Sequence, residues 1–226
     1  MTTVRADLHN HSYYSPDSIA SPAQMLRKAL KRRINVLAVT DHNTIRGGLV
    51  ARNLAAKSFP DLRVIVGEEV RTRDGEVLGL FLSADVPRDL SAEETIALIL
   101  AQGGVAGAPH PFDTFRSGLD PDVLARVAPT LDFIEGFNAR MTFASHNDRA
   151  IELAAELGLP TSAASDAHSP REIGRAWVEM PDFTTPAEFV ASLKAGKLRG
   201  KVSSPLIHLI SRYATIRRKL GWKPPA

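Results

Sequence analysis

Apolar positions along the chain gather into short runs at residues 4–8, 36–40, 63–66, 77–82, 105–108, 133–137 and 160–164. The runs are rich in Val, Ile, Leu and Phe and too short for helices, so each predicts a buried strand. Amphipathic stretches lie between most of them. Residues 22–32 follow a Ser21 cap, and residues 91–102 open with Ser91 and Glu94, a capping box. Residues 147–157 end at Gly158, a C-cap signal, and residues 185–195 begin with Thr185, Pro186 and Glu188 in the order of a helix start. Strands alternating with helices predict an α/β fold with a parallel sheet. Seven strands in a unit of about 200 residues favour a closed or nearly closed barrel over an open sheet. The barrel is assigned residues 1–200.

Residues 201–226 carry a different pattern. Ser204-Pro205 opens a helix in which Leu206, Leu209, Ile210, Tyr213, Ile216 and Leu220 recur every three or four positions, with Arg212, Arg217, Arg218 and Lys219 on or near the other face. The apolar stripe is expected to pack on the barrel. A basic amphipathic helix also suits an anionic membrane or nucleic acid.

The formal net charge is +3, but from residue 189 onward there are nine Lys or Arg and no Asp or Glu, which leaves residues 1–188 at −6. The basic character belongs to the tail, so the overall charge gives only weak support to a nucleic-acid partner. The chain has no Cys, which excludes disulfides and thiolate metal sites. No run is apolar and long enough to span a bilayer and no signal core precedes Asp7, so a soluble, cytoplasmic protein is expected. Oligomeric state is left open.

Acid-flanked histidines stand at the ends of the expected strands: Asp7-Leu8-His9-Asn10-His11, Thr40-Asp41-His42, His110 after the fifth run, and Ser165-Asp166-Ala167-His168 after the seventh. Gly67-Glu68-Glu69 ends the third and Asn138 the sixth. In a parallel β/α barrel the C-terminal strand ends share one face, where distant residues converge. His9 and His11, two apart on extended chain, point the same way. Asp7 and Asp41 are candidates to orient ligating histidines from behind. Alternation favours Glu69 over Glu68 as the inward carboxylate, and His208 reads as structural. Imidazole and carboxylate donors suit Zn, Mn or Fe, metals that lower the pKa of water from 15.7 to about 7 and so supply the nucleophile. Arg116, Arg140, Arg171 and Arg175 follow the clusters and are candidate phosphate-binding residues.

In this order the motifs resemble the PHP (polymerase and histidinol phosphatase) family. The matching elements are Asp7-Leu8-His9-Asn10-His11-Ser12, Thr40-Asp41-His42, Gly67-Glu68-Glu69, His110-Pro111, Phe137-Asn138 and Ser165-Asp166-Ala167-His168. The resemblance implies a distorted seven-stranded (βα) barrel with a short C-terminal helical extension and a centre of two or three divalent or trivalent metal ions. It implies that His9, His11, Glu69 and Asp166 hold one ion. Glu69 and His110 hold a second, with Asn138 standing where some members have a His ligand. Asp17, His42 and His168 hold a third. His42, Glu69 and Asp166 are the catalytic candidates. The implied activity is hydrolysis of phosphate monoesters, nucleotide-like or other small phosphorylated metabolites, with a small phosphorylated substrate favoured over nucleic acid as partner. A PHP-type exonuclease acting on nucleic-acid ends and a metal-dependent amidohydrolase are the alternatives, and a metal-stabilised module without activity is a third reading.

Overall fold

The computed structural model describes residues 2–113 and 117–224. All seven expected strands form. They are β1 (Thr3–Asp7), β2 (Val36–His42), β3 (Arg63–Arg71), β4 (Glu76–Leu80), β5 (Val105–Ala108), β6 (Phe133–Asn138) and β7 (Thr161–Ala164). Two more, β8 (Ala176–Pro181) and β9 (Lys197–Gly200), bring the sheet among the described residues to nine strands. Their order is β7-β6-β5-β4-β3-β2-β1-β8-β9. The expected seven-stranded, parallel barrel is corrected to a nine-stranded mixed sheet that curls until it nearly closes. β7 comes against β1, β8 and β9, and two backbone bonds stitch the seam: His11 N donates to Ala167 O, and Asp166 N to His9 O, at 2.9 and 2.8 Å.

The sheet is parallel at β1-β2-β3 and β5-β6-β7 and antiparallel around β4, β8 and β9. The reversal at β4 has a local cause. Only residues 72–75 join β3 to β4, too few for a crossover, and Gly75 at φ 127° takes the turn position that side chains avoid. Reversing there turns Glu76, at the start of β4, back toward the end of β3.

Seven α-helices lie among the described residues. They are α1 (Pro22–Lys31), α2 (Arg46–Ser58), α3 (Ala92–Ala101), α4 (Pro121–Val127), α5 (Ala144–Glu156), α6 (Pro186–Lys194) and α7 (His208–Lys219). α1 and α3 each begin with a complete capping box, on Ser21 with Gln24 and on Ser91 with Glu94. Each box satisfies two backbone donors that a helix start otherwise leaves open. The barrel interior packs Leu8, Leu78, Leu80, Phe133 and Phe189, all buried. This apolar plug sits below the strand ends, leaving their C-terminal rim to polar groups.

The tail helix α7 sits on the barrel with the side opposite to the one expected. Ala214 is buried, Ser211 Oγ accepts from Arg140 Nη2 at 2.7 Å, and Arg218 Nη2 donates to the Tyr13 carbonyl at 2.7 Å. The stripe of Leu206, Leu209, Tyr213, Ile216 and Leu220 is exposed. No helix among the described residues is long and apolar enough to cross a membrane.

Candidate metal centre

Beyond β1 the chain stays extended, so His9 and His11 share one face while Asn10 turns away, its Nδ2 donating to Asp7 Oδ1 at 3.0 Å. His9 Nδ1 lies 3.1 Å from Glu135 Oε1, and His11 Nδ1 lies 3.1 Å from Ser15 Oγ. Glu135 accepts, and the Ser15 hydroxyl donates to Asp41 Oδ1 at 3.0 Å. Both contacts therefore assign an outward proton to Nδ1. The two Nε2 atoms are turned inward, where they face each other at 3.0 Å.

Carboxylates complete the cluster. Glu69 Oε2 lies 3.3 Å from each of these Nε2 atoms, and Asp166 Oδ1 lies 3.3 Å from that of His11. Glu69 also reaches His110 Nε2 at 2.9 Å through Oε1 and His42 Nδ1 at 3.1 Å through Oε2. One carboxylate thus touches four imidazoles. On the far side Asp17 Oδ2 lies 3.0 Å from His168 Nε2 and 3.4 Å from His42 Nε2. The His168 ring is held by the Asp166 carbonyl, 2.9 Å from its Nδ1. Three overlapping groups present donor atoms within 4.8 Å of one another: His9-His11-Asp166, His11-His42-His168 and His42-Glu69-Glu76.

The electrostatics are those of a cation site. Burial and the neighbouring His168 and His42 push the His11 pKa down to about 3. Burial also opposes charge on His42, but Glu69, Asp17 and Glu76 outweigh it and raise its pKa to about 10. His9 is raised in the same way, burial being overcome by Glu69, Asp166 and Glu135. Glu69 and Asp17 are held well below the carboxylate range, their burial overcome by His9 and His42 in one case and by His168 and His42 in the other. Burial and the Glu69 charge raise Glu76 to about 7. The shifts of His9 and His11 run in opposite directions although their Nε2 atoms lie 3.0 Å apart. Nitrogens and carboxylates packed this closely fit a metal cation, which would replace protons held on them. Imidazole with carboxylate is the donor set of Zn, Mn or Fe.

The backbone is strained where it delivers two of these groups. His110 and Asp166 have φ of 28° and 49°, in the region that glycine favours, at a cost on the order of 1–3 kcal/mol each. The Asp166 N–H is bonded to His9 O, so the seam of the barrel holds the strained turn.

A second layer fixes the first. Asp41 accepts from Ser12 N at 2.6 Å, Ser12 Oγ at 2.7 Å and Ser15 Oγ, and it acts on His11 only through Ser15. Asp7 does not reach a ligating histidine. It accepts from Ser165 N and Oγ and from Gly174 N, tying β1 to the loop that carries Asp166 and His168. Asn138 turns its Nδ2 to Glu135 Oε2 at 2.8 Å and Asp166 Oδ2 at 3.0 Å, so its amide orients carboxylates. Arg140 lines the cleft, but its Nη1 is paired with buried Glu172 at 2.9 Å and its Nη2 with Ser211. Arg171 and Arg175 line a separate depression with Leu206, Ile207 and Ile210, away from the histidines. Arg116 lies outside the described residues.

Three groups at or beside the cluster carried no motif. Glu135 is a lone acid in the apolar run Phe133-Ile134-Glu135-Gly136-Phe137, and that misfit was its signal. Glu76 depends on the β3-β4 reversal, which Asp74-Gly75 announces. His208 reaches the cleft rim from α7 through a 3.3 Å contact between its Nδ1 and Arg140 Nη2. The cleft over the cluster holds about 300 Å³ and is lined by Asp17, His42, Glu76, His110, His168 and Ser211 among others.

Similarity to known proteins follows the same residues. The PHP domain profile matches residues 7–108 and the PHP-associated profile residues 144–198. An uncharacterized protein of Methanocaldococcus jannaschii is 43% identical over 146 residues, covering 60% of this chain and 82% of its own. A 5'-3' exoribonuclease of Haemophilus influenzae is 29% identical over 54% of this chain, which spans 47% of that enzyme. Among solved structures, a two-domain protein of Bacteroides vulgatus containing a predicted PHP-like metal-dependent phosphoesterase superposes with a TM-score of 0.73 at 18% identity, covering 88% of this chain and 65% of that one.

Proposed function

Because this chain belongs to the PHP family, whose members include metal-dependent phosphoesterases, we propose that it hydrolyses phosphate monoesters of small molecules. The observation that carries this reading is the convergence of His9, His11, His42, His110 and His168 on Glu69, Asp166 and Asp17 at one end of the barrel. In this proposal His9, His11, Glu69 and Asp166 hold one ion, Glu69 and His110 a second, and Asp17, His42 and His168 a third. Mn, Fe or Zn bound there would polarise the phosphoryl group and acidify water.

The chain's own residues do the rest. Glu135, Ser15 and the Asp166 carbonyl fix which ring nitrogen of His9, His11 and His168 faces the cleft. Glu76 lines the cleft beside the cluster, where its carboxyl is placed to exchange a proton with a leaving oxygen. Arg140, His208 and Ser211 also line the cleft, with Arg140 held in place by its bonds to Glu172 and Ser211. A cleft of about 300 Å³ has room for a phosphorylated group of nucleotide size. The resemblance to the Haemophilus exoribonuclease supports a second reading, removal of nucleotides from nucleic-acid ends.

The test is phosphate release by protein reloaded with Mn, Fe or Zn. The substrates are nucleoside 3'- and 5'-monophosphates, 3',5'-bisphosphates, sugar phosphates, histidinol phosphate and short oligonucleotides, with His42→Ala beside the wild type. Release from one monoester class, lost in the variant, supports the proposal. Mononucleotide release from oligonucleotides alone supports the second reading. Silence across the panel with metal bound refutes both.

A further inference from the structure

We propose that the outward face of α7 docks the protein onto anionic membrane surfaces. This inference is independent of the reaction the cleft performs.

Leu206, Leu209, Tyr213, Ile216 and Leu220 are 71, 60, 59, 58 and 83% exposed, the five most exposed large apolar residues among those described. They follow one another at intervals of three and four, so they form a single stripe along the helix. Isolated exposed apolar residues need no explanation, but a continuous stripe marks an interaction surface. The helix is not exposing this face through poor seating. Its other side is anchored by Ala214, by the bond from Arg140 to Ser211, and by Arg218 bonded to the carbonyls of Tyr13, Tyr14 and Ser15. The stripe is therefore presented already folded, and docking would not have to order it.

Charge selects the occupant. Arg212 and Lys219 flank one side of the stripe. Arg217, stacked on the Trp222 ring at 3.8 Å, flanks the other. No Asp or Glu occurs from residue 189 onward. A second copy of α7 would bring like charges together on both flanks, with no acid in the helix to pair them. Nucleic acid would satisfy the cations but leave four aliphatic side chains with nothing to bury against. An acidic partner helix would satisfy both, but only with its acids set in register opposite Arg212, Arg217 and Lys219. An anionic lipid surface needs no register. It takes the Leu and Ile side chains into the acyl boundary and the Arg and Lys heads among its phosphates. Ser211, which lines the cleft, lies on the opposite face of the helix, so docking leaves the cleft open.

The test is flotation of the intact protein with vesicles of phosphatidylcholine alone and of phosphatidylcholine with one third phosphatidylglycerol, at low and high salt. The expected result is a preference of roughly tenfold to a hundredfold for the anionic vesicles, weakened by salt. It should be lost in Leu209→Glu/Ile216→Glu and reduced in Arg212→Glu/Lys219→Glu. Circular dichroism must show both variants folded. A third variant, Leu209→Ser/Ile216→Ser, repeats the test should the first fail to fold. Failure of the wild type to float with anionic vesicles overturns the proposal, as does binding that survives loss of the stripe. A dimer in light scattering that Leu209→Glu/Ile216→Glu dissolves assigns the stripe to a second copy. Binding of a designed acidic heptad peptide in preference to vesicles assigns it to a protein helix. Either result also overturns the proposal.

Discussion

Glu135 Oε1 lies 3.1 Å from His9 Nδ1, although 126 residues separate the two in sequence. Its other oxygen accepts from His110 N at 2.8 Å and Asn138 Nδ2 at 2.8 Å. One buried carboxylate in the middle of β6 thus fixes a ring nitrogen at one side of the cluster and the backbone of a second histidine at the other. Partners of this kind raise ligand basicity and hold ring orientation. Glu135→Gln should lower metal affinity about 10–100-fold. Competition against a calibrated chelator at fixed pH measures this, and unchanged affinity would remove Glu135 from the account.

Gly47, in the first turn of α2, is where a Cβ would collide with the Asp41 carboxylate and the Ser12 hydroxyl. Asp41 holds Ser15, and Ser15 holds His11. Gly47→Ala should therefore destabilise the protein by about 1–3 kcal/mol through overpacking and weaken metal binding as well. Urea denaturation read beside metal titration checks both effects. A loss of stability with unaltered metal binding would break the proposed chain from Asp41 to His11.

Glu68 and Glu69 are neighbours in β3 with opposite fates. Glu69 faces the cluster, while Glu68 is buried on the other face and accepts from Val86 N at 2.9 Å. Burial pushes the Glu68 carboxyl up to about 8 from the ordinary 4.5; the Val86 bond opposes this and Asp85 adds to it. A raised carboxyl keeps a proton in the folded chain that the unfolded chain has lost. Its contribution to stability is present below pH 4.5 and is lost as pH rises through about 8. Glu68→Gln should flatten that part of the profile and exceed the wild type above pH 8 by on the order of a few kcal/mol. Thermal melts of metal-free protein across this range test it, and parallel profiles for the two proteins would contradict it.

Most of the strand-end chemistry was legible because it is local. His9 and His11 share a face by the alternation of extended chain, and Thr40-Asp41-His42 and Ser165-Asp166-Ala167-His168 follow strands visible as apolar runs. What was not legible depends on long-range contacts. Glu135 becomes an orienting group only when β6 lies across from His9. β8 alternates buried with half-buried positions but holds only six residues, and β9 is four mostly exposed residues; β8 takes its place by pairing with β1, and β9 by pairing with β8. The stripe on α7 was expected to face inward because apolar periodicity tells which residues share a face, not which face meets the barrel. That choice was made by Arg140, Ser211 and Arg218.

Arg140 joins three parts of the chain, accompanying Asn138 at the end of β6 and pairing with Glu172 and with Ser211 of α7. Both members of the Arg140–Glu172 pair are nearly inaccessible, with side chains 3% and 4% exposed. Removing one partner strands the other charge, so Arg140→Ala should cost about 3–5 kcal/mol. Arg140→Ala/Glu172→Ala should recover part of this. Denaturant midpoints of the two variants decide the matter; a single variant within about 1 kcal/mol of the wild type would show that the pair is no more than a surface ion pair in its energetics.

The most direct test of the centre itself is equilibrium dialysis of metal-stripped protein against Mn, followed by elemental analysis, for the wild type and His11→Ala. His11 belongs to two of the three donor groups. More than one ion per wild-type chain is expected, with a clear drop in the variant. A wild-type chain that retains no metal, or a variant that holds as much as the wild type, would contradict this expectation.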